Sequence, residues 1–371
     1  MGESVKHLVN VFSSPTISFL TLFAIFFFIF PPTEWFAAIN RRLGIYKLWT
    51  GKGGVFIFTV MITGHCLSLT DPNYRAIVLK PDNVPIVLLL FSTVFFLWLS
   101  MKQAYANDAR LAQGLKPNEY EVPEKRKVLV WPDLVYTELI VMVLCMVGLL
   151  VWSIVLQAPL EEPADPSLTP NPSKAPWYFL ALQEMLVYFD PWLAGVAFPT
   201  VIIVGLMAIP YIDTDRSTSG YFSFQNRKLF ISLFLFGWLV LWVYMVIVGT
   251  FFRGPGWNFF GPFERWDPHK VAALNNVNLS EIIYVIALKQ TLPDNVLVRE
   301  IWGILLTSFY FMGIPPLLAK FRLKGFFERM GSMKYSWFMF LSLMALSLPI
   351  KMILRWSINL KYMIATPWFN I

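Results

Sequence analysis

One stretch of this chain sets side chains together in a way that suits chemistry. It runs from Glu161-Glu162-Pro163-Ala164-Asp165-Pro166 through Pro172-Ser173-Lys174-Ala175-Pro176-Trp177-Tyr178-Phe179 to Glu184 and Asp190, between two apolar segments. Rings, prolines and a carboxylate are thereby gathered at the edge of a membrane. Pro176 suits the first turn of a helix, where its missing N–H and fixed φ cost nothing. On that helix Glu184 falls seven residues beyond Trp177, about two turns on and nearly on the same face. A carboxyl set beside apolar rings at a bilayer edge is suited to accept a proton, and Tyr178 can hydrogen-bond or gate a ring held beside it. Two plainer roles stay open on these residues alone. Trp177 and Tyr178 are equally the kind of residue that anchors a helix at the interface, and Glu184 is equally suited to a structural role, capping or pairing with a partner subunit. Asp190, ahead of Pro191-Trp192, reads as the start of the next helix.

The elements that must position this stretch are membrane spans. Of 371 residues 57% are hydrophobic and only 14% charged, and the mean hydropathy is +0.58, far more apolar than a soluble surface tolerates. Runs able to cross about 30 Å of hydrocarbon, near 20 residues each, occur at Ile17 to Phe30, Gly54 to Leu69, Val84 to Met101, Leu134 to Leu156, Trp192 to Pro210, Leu229 to Phe251, Ile301 to Leu318 and Ser336 to Leu354. The expected fold is an all-α integral membrane bundle of about eight transmembrane helices. The number is seven if the first, short and closed by Pro31-Pro32, is interfacial. That first run also resembles a signal peptide, but no small-residue cleavage site follows it promptly.

Lys and Arg crowd alternate loops: Arg41, Arg42, Lys47 and Lys52; Lys102, Arg110, Lys116, Lys125, Arg126 and Lys127; Arg216, Arg227 and Lys228; Lys320, Arg322, Lys324, Arg329 and Lys334. By the positive-inside bias those loops face the cytoplasm, so both termini and the motif lie outside. The net charge of +7 is then a topology signal, and nucleic acid is discarded as a partner. The polar segment from Gln103 to Trp131, with breakers Pro117 and Pro123, reads as a cytoplasmic linker. The expected division is 1–102, a three-helix membrane region; 103–130, the linker; 131–252, a three-helix region with the motif; and 253–371, an outer loop with two further spans. Lys351, Arg355 and Lys361 are expected to snorkel to the outer interface. The two cysteines, Cys66 and Cys145, lie in apolar spans without a Cys-x-x-Cys-His pattern, so no metal site is written here. Of three histidines only His65 is in a span, where a packing role is the plain reading. Two b haems need four axial ligands, which this chain does not supply. There is no phosphate-cradling glycine loop and no repeat of 20 to 50 residues, so a nucleotide enzyme is disfavoured, as is a secondary transporter.

Glu162-Pro163-Ala164-Asp165-Pro166 followed by Lys174-Ala175-Pro176-Trp177-Tyr178-Phe179 resembles the outer loop of subunit IV of the cytochrome bf complex, the counterpart of the C-terminal half of cytochrome b in bc complexes. Trp131-Pro132-Asp133 before the preceding span, the Pro210-Tyr211-Ile212 exit and Gln225-Asn226-Arg227-Lys228 fit as well. The resemblance covers about residues 131–251, and the other spans look like an extended bacterial form. It implies a subunit of a quinol:cytochrome c oxidoreductase in a bacterial energy-transducing membrane. One electron of the quinol goes to a Rieske iron-sulfur protein and onward to a c-type cytochrome, the other through two b haems carried by a partner resembling the N-terminal half of cytochrome b. The implied cofactor is a quinol/quinone, menaquinone being the expected species. Pro176, Trp177, Tyr178 and Phe179 would line its pocket, and lipid would surround the subunit. Where the family has Pro-Glu before Trp-Tyr, however, this chain has Ala175-Pro176. The usual proton-accepting carboxylate is missing from its position, and Glu184, with Tyr178, is expected to take over. The alternative is a non-catalytic scaffold that docks cytochrome subunits.

Overall fold

The computed structural model describes residues 2–118, 129–157, 163, 165–167, 169–213, 223–272 and 275–371. Glu161, Glu162 and Ala164 of the motif, Asp215 and Arg216, and the loop cations Lys125, Arg126 and Lys127 lie outside the described residues. The chain is a bundle of helices, α1 Glu3–Phe12, α2 Pro15–Ile29, α3 Glu34–Leu43, α4 Gly51–Ser68, α5 Pro72–Val78 and α6 Val84–Ala112, then α7 Val130–Val155, α8 Trp177–Met185, α9 Leu193–Ile212, α10 Gln225–Phe252 and α11 Ile301–Phe321, α12 Lys324–Met330 and α13 Ser332–Ile358. Six of these, α6, α7, α9, α10, α11 and α13, are each long and apolar enough to cross a membrane. The first two expected spans appear as bent pairs, α1 with α2 at 72° and α4 with α5 at 113°. Proline explains both bends: Pro15 and Pro72 each open the second member of their pair, where a helix can start but not continue.

The first apolar run is no peripheral segment. Phe19 and Phe26 of α2 are buried, and their rings meet Tyr244 and Phe236 of α10 at 5.6 Å each and Trp356 of α13 at 5.7 Å from Phe19. The Ser18 hydroxyl lies 2.7 Å from that of Tyr244, which donates to the Pro15 carbonyl. Aromatic packing of this kind, non-directional in its drive but specific in its geometry, joins the N-terminal region, the motif-bearing region and the last span in one core. Helix α6 runs on to Ala112, so the first part of the expected linker is a helical continuation of a span. In α7, by contrast, no residue is buried.

The connections fall on two faces. On one, Lys6 meets Asp71 at 2.9 Å, the Phe263 N–H donates to Asn10, Asn73 donates to the Phe263 carbonyl, and Asn370 donates to Asp190. On the other, Lys228 pairs with Glu34, the N–H groups of Phe224 and Gln225 donate to Asp108, and Arg227 pairs with Asp213 at 2.8 Å. The first set of contacts ties α1, the loop around Phe263 and the C-terminal tail to one another, although the 253–299 segment itself carries Arg253, Arg265, Lys270, Lys289 and Arg299.

One expectation is corrected here. Lys351, Arg355 and Lys361 do not reach out to the interface: Lys351 and Arg355 are buried. Lys351 donates to the Lys361 carbonyl, Arg355 to the Asn275 and Asn359 carbonyls and the Asn276 side chain, and Lys361 to the Leu186 carbonyl. The cause is the left-handed residue Asn359 (φ 57°) that ends α13. It turns the tail back over the helix end, and the carbonyls so presented give cations a nearer set of acceptors than water.

Candidate functional site

Helix α8 begins at Trp177, directly after Pro176, and Pro176 occupies the capping position with an extended ψ of 149°. The loop is strapped to the helix by Gln183, which accepts from the Ala175 N–H (2.8 Å) and donates to the Ser173 carbonyl (3.0 Å). These bonds hold the Lys174–Pro176 turn in a single course before the rings. Gly249 of α10 gives the helix its seat, since a Cβ there would stand 2.9 Å from Leu180 Cγ. The buried face of α8 is Leu180, Ala181, Glu184 and Met185, and the other side is left open. Trp177, Tyr178 and Phe179 are all exposed, Tyr178 by 48%. Their rings form a ladder, edge-on from Trp177 to Tyr178 at 5.6 Å and tilted from Tyr178 to Phe179 at 4.7 Å. Asp190 accepts from the Trp192 N–H, the helix-starting geometry expected of it.

Glu184 faces the opposite way, 1% exposed. Its carboxylate accepts from Arg253 Nε (3.0 Å) and, through the second oxygen, from Arg253 Nη2, while Trp257 Nε1 donates to it at 3.0 Å. The fork is the bidentate pairing that a planar guanidinium makes with a carboxylate. Arg253 is itself 9% exposed, and its remaining arm donates to the Trp257 carbonyl at 3.0 Å. A local fold of the Gly-Pro segment makes this possible. Gly256 and Trp257 both have positive φ, 65° and 58°, and the Gly254 N–H donates to the Asn258 carbonyl, closing the turn. Such a φ is unfavourable for tryptophan, and its two bonds, indole to Glu184 and carbonyl from Arg253, hold it there. The structure therefore separates two groups that residue spacing suggested might act together: the rings of α8 look outward, the carboxylate looks in.

Lys174, in the loop that leads into α8, is a half-buried cation. Its Nζ donates to the Thr250 carbonyl at 2.5 Å and stands 4.8 Å over the Trp266 ring. Burial, with added repulsion from Lys80, pushes its pKa from the usual 10.5 down to about 7, against the pull of Asp82 and Glu184. An amine whose folded pKa lies below its unfolded value binds fewer protons folded than unfolded. Its cost to stability is full below pH 7 or so and is lifted as pH rises toward roughly 10. The melting temperature should accordingly climb across that window, and climb less in Lys174→Met. Melting curves with equal pH slopes for the two proteins would remove this account.

Residue types alone did not single out Arg253, Trp257, Gln183 or Lys174 as parts of one arrangement. For Arg253 a signal existed, since a cation immediately after a span is a natural counter-ion for a carboxyl at the same depth. His65 hydrogen-bonds Tyr74 through Nδ1 at 3.0 Å and packs edge-on against Phe91, a packing histidine. Among the described residues no group of His, Cys, Asp and Glu has the makings of a metal site, and both cysteines are free. Residues 163–252 match the family described as Cytochrome b(C-terminal)/b6/petD. That range takes in α8, Glu184, Lys174 and the whole of α9 and α10, and stops one residue short of Arg253. No solved structure matches the chain.

Proposed function

We propose, from a chain whose residues 163–252 belong to the cytochrome b C-terminal/b6/petD family, that it is a membrane subunit of a quinol:cytochrome c oxidoreductase and forms one wall of the outer quinol-oxidation pocket. The observation that carries this is the exposed Trp177-Tyr178-Phe179 ladder at the start of a helix held rigidly by Gln183 and by the Glu184–Arg253 pair. Large rings left open beside a fixed polar loop suit a pocket whose other wall belongs to a neighbour. Helix α7, with no residue buried within the chain, offers a further apolar surface for a membrane partner. The partners are a haem-bearing subunit like the N-terminal half of cytochrome b, a Rieske iron-sulfur protein and a c-type cytochrome. The quinone is the reacting ligand, menaquinone in the reading offered here, and the membrane is a bacterial energy-transducing one.

In this pocket Tyr178 hydrogen-bonds the quinol ring, Trp177 and Phe179 hold its faces and Pro176 shapes the approach. For Glu184 two roles are in play. As a proton acceptor it would have to loosen its bonds to Arg253 and Trp257 in each turnover; as an anchor it keeps them and fixes α8 against the outer turn. The closed set of three donors favours the anchor. The test is Glu184→Gln in the assembled complex, read as quinol-driven cytochrome reduction. An acceptor role predicts a fall of about a hundredfold with assembly kept, whereas an anchor role predicts a lower melting temperature with the rate per assembled complex kept. If the wild-type complex shows no quinol-driven reduction sensitive to a quinone-site inhibitor, the scaffold alternative takes its place.

A further inference from the structure

Away from the motif, helices α4 and α6 leave an open groove of about 480 Å³ between them. Its α4 wall is the stripe Gly54, Val55, Phe58 and Ile62, with Thr59 along one edge, and its α6 wall is Phe95 and Trp98. Phe58 meets Phe95 at 5.9 Å and Trp98 at 6.1 Å, so aromatic rings make the floor. The two helices touch at Gly54, where a Cβ would stand 2.4 Å from the Trp98 ring, and the Trp98 indole donates to the Thr50 carbonyl at 3.2 Å. Val55 is 69% and Ile62 52% exposed, so the described residues leave this wall uncovered. The groove runs from Gly51 to Thr63, about 18 Å of helix. That is close to one leaflet, roughly half of the hydrocarbon layer of about 30 Å. Two cations stand at its Gly51 end. Lys102 follows Trp98 by one turn of α6, its ammonium 5.1 Å over the Trp98 ring, and Lys52 lies two turns from Thr59 on the same side of α4. Both are exposed, α4 holds no Asp or Glu, and α6 holds none before Asp108. Neither lysine has a carboxylate partner among the described residues.

We propose that this groove holds an anionic phospholipid, one acyl chain lying along the Phe58, Phe95 and Trp98 rings and the phosphate met by Lys52 and Lys102. The inference stands apart from the quinol reading, since α4 and α6 lie outside the residues, 163–252, that match the family. The apolar floor selects a hydrocarbon chain, and the charges select the headgroup, because a lysine at the membrane surface favours anionic over zwitterionic lipid. Trp98 serves both ends of such a ligand. Its ring lines the path of the chain, and its face carries the Lys102 ammonium at the depth where indoles and headgroups meet. A partner helix crossing the membrane would need a seat through both leaflets, and this one ends after about one. Inorganic phosphate would use the lysines and leave the groove empty.

The experiment titrates the full chain, purified in detergent, with phosphatidylglycerol, with phosphatidylcholine of the same acyl chains and with inorganic phosphate. Bound lipid is counted by native mass spectrometry. Phosphatidylglycerol is expected to bind more tightly than phosphatidylcholine and to raise the melting temperature, as a ligand of the folded state does. Lys52→Ala combined with Lys102→Ala should weaken phosphatidylglycerol about thirtyfold, roughly fivefold for each lysine, and leave phosphatidylcholine unchanged. Thr59→Trp puts a ring into the groove from an exposed position and should weaken both lipids. A double lysine variant that binds phosphatidylglycerol as the wild type does overturns the proposal, as does a wild type that binds the two lipids equally. Inorganic phosphate that raises the melting temperature as far as phosphatidylglycerol does overturns it too, since the groove would then play no part. In the assembled complex, a photoreactive residue in place of Thr59 should capture lipid; capture of a partner polypeptide instead gives the groove to a helix and overturns the proposal.

Discussion

Replacing Arg253 with methionine is expected to destabilise the chain by about 3–5 kcal/mol, the usual cost of leaving one member of a buried ion pair without its partner. Glu184 is 1% exposed, and of its three hydrogen bonds two come from Arg253. With the guanidinium gone, only the Trp257 indole would remain to answer a full charge. The loss would spread, because Arg253 also holds the Trp257 carbonyl and with it the positive-φ turn at Gly256-Trp257. Removing both charges at once should be much milder: Arg253→Met with Glu184→Leu replaces a buried pair by apolar groups of similar size, a change often near neutral. The measurement is the thermal midpoint and the yield of assembled complex for the single and double variants. A single variant as stable as the wild type would show that the pair contributes nothing to the fold.

Tyr178→Ala should act in the reverse way, on rate and not on folding. Its side chain is 48% exposed and packs against the neighbouring rings of its own helix turn, so stability should move by no more than about 0.5 kcal/mol. The variant removes both the hydroxyl and the central ring of the ladder. A loss of about tenfold to a hundredfold in inhibitor-sensitive quinol oxidation is expected, the range associated with a misplaced or unbonded reactant. Quinol-driven cytochrome reduction, with and without a quinone-site inhibitor, is the measurement. An unchanged rate in a fully assembled complex would favour the scaffold role over the pocket role. The two variants therefore probe the two sides of α8 separately, the inward side that fixes it and the outward side that meets the ligand.

Much of this was legible before any coordinates. Spans are runs of apolar composition, and composition is local, so the six long helices and the two apolar pieces that bend at proline fall where hydropathy puts them. The order of Pro163, Asp165, Trp177, Tyr178 and Phe179 is local in the same way, and it falls inside the range, residues 163–252, that matches the family. Proline at the head of α8 and aspartate before Pro191 also read correctly, because helix starts are decided by neighbours in the chain.

The direction in which each functional side chain points was decided by the tertiary structure. Seven residues of helical spacing put Glu184 and Trp177 on one face in principle, yet the fully buried residues of α8 are Leu180, Ala181, Glu184 and Met185, while Trp177, Tyr178 and Phe179 in its first turn are exposed. Glu184 found its partner in Arg253, 69 residues away, and Lys174 its acceptor in Thr250, 76 residues away. Lys351 and Arg355 turned inward because the tail that follows them folds back as a set of carbonyls. The apolar pattern along the chain determined what enters the membrane. Which charges are then buried, and against what, depended on which distant segments arrive beside them, since a charge taken from water is stable only where the fold brings its partner within hydrogen-bond reach.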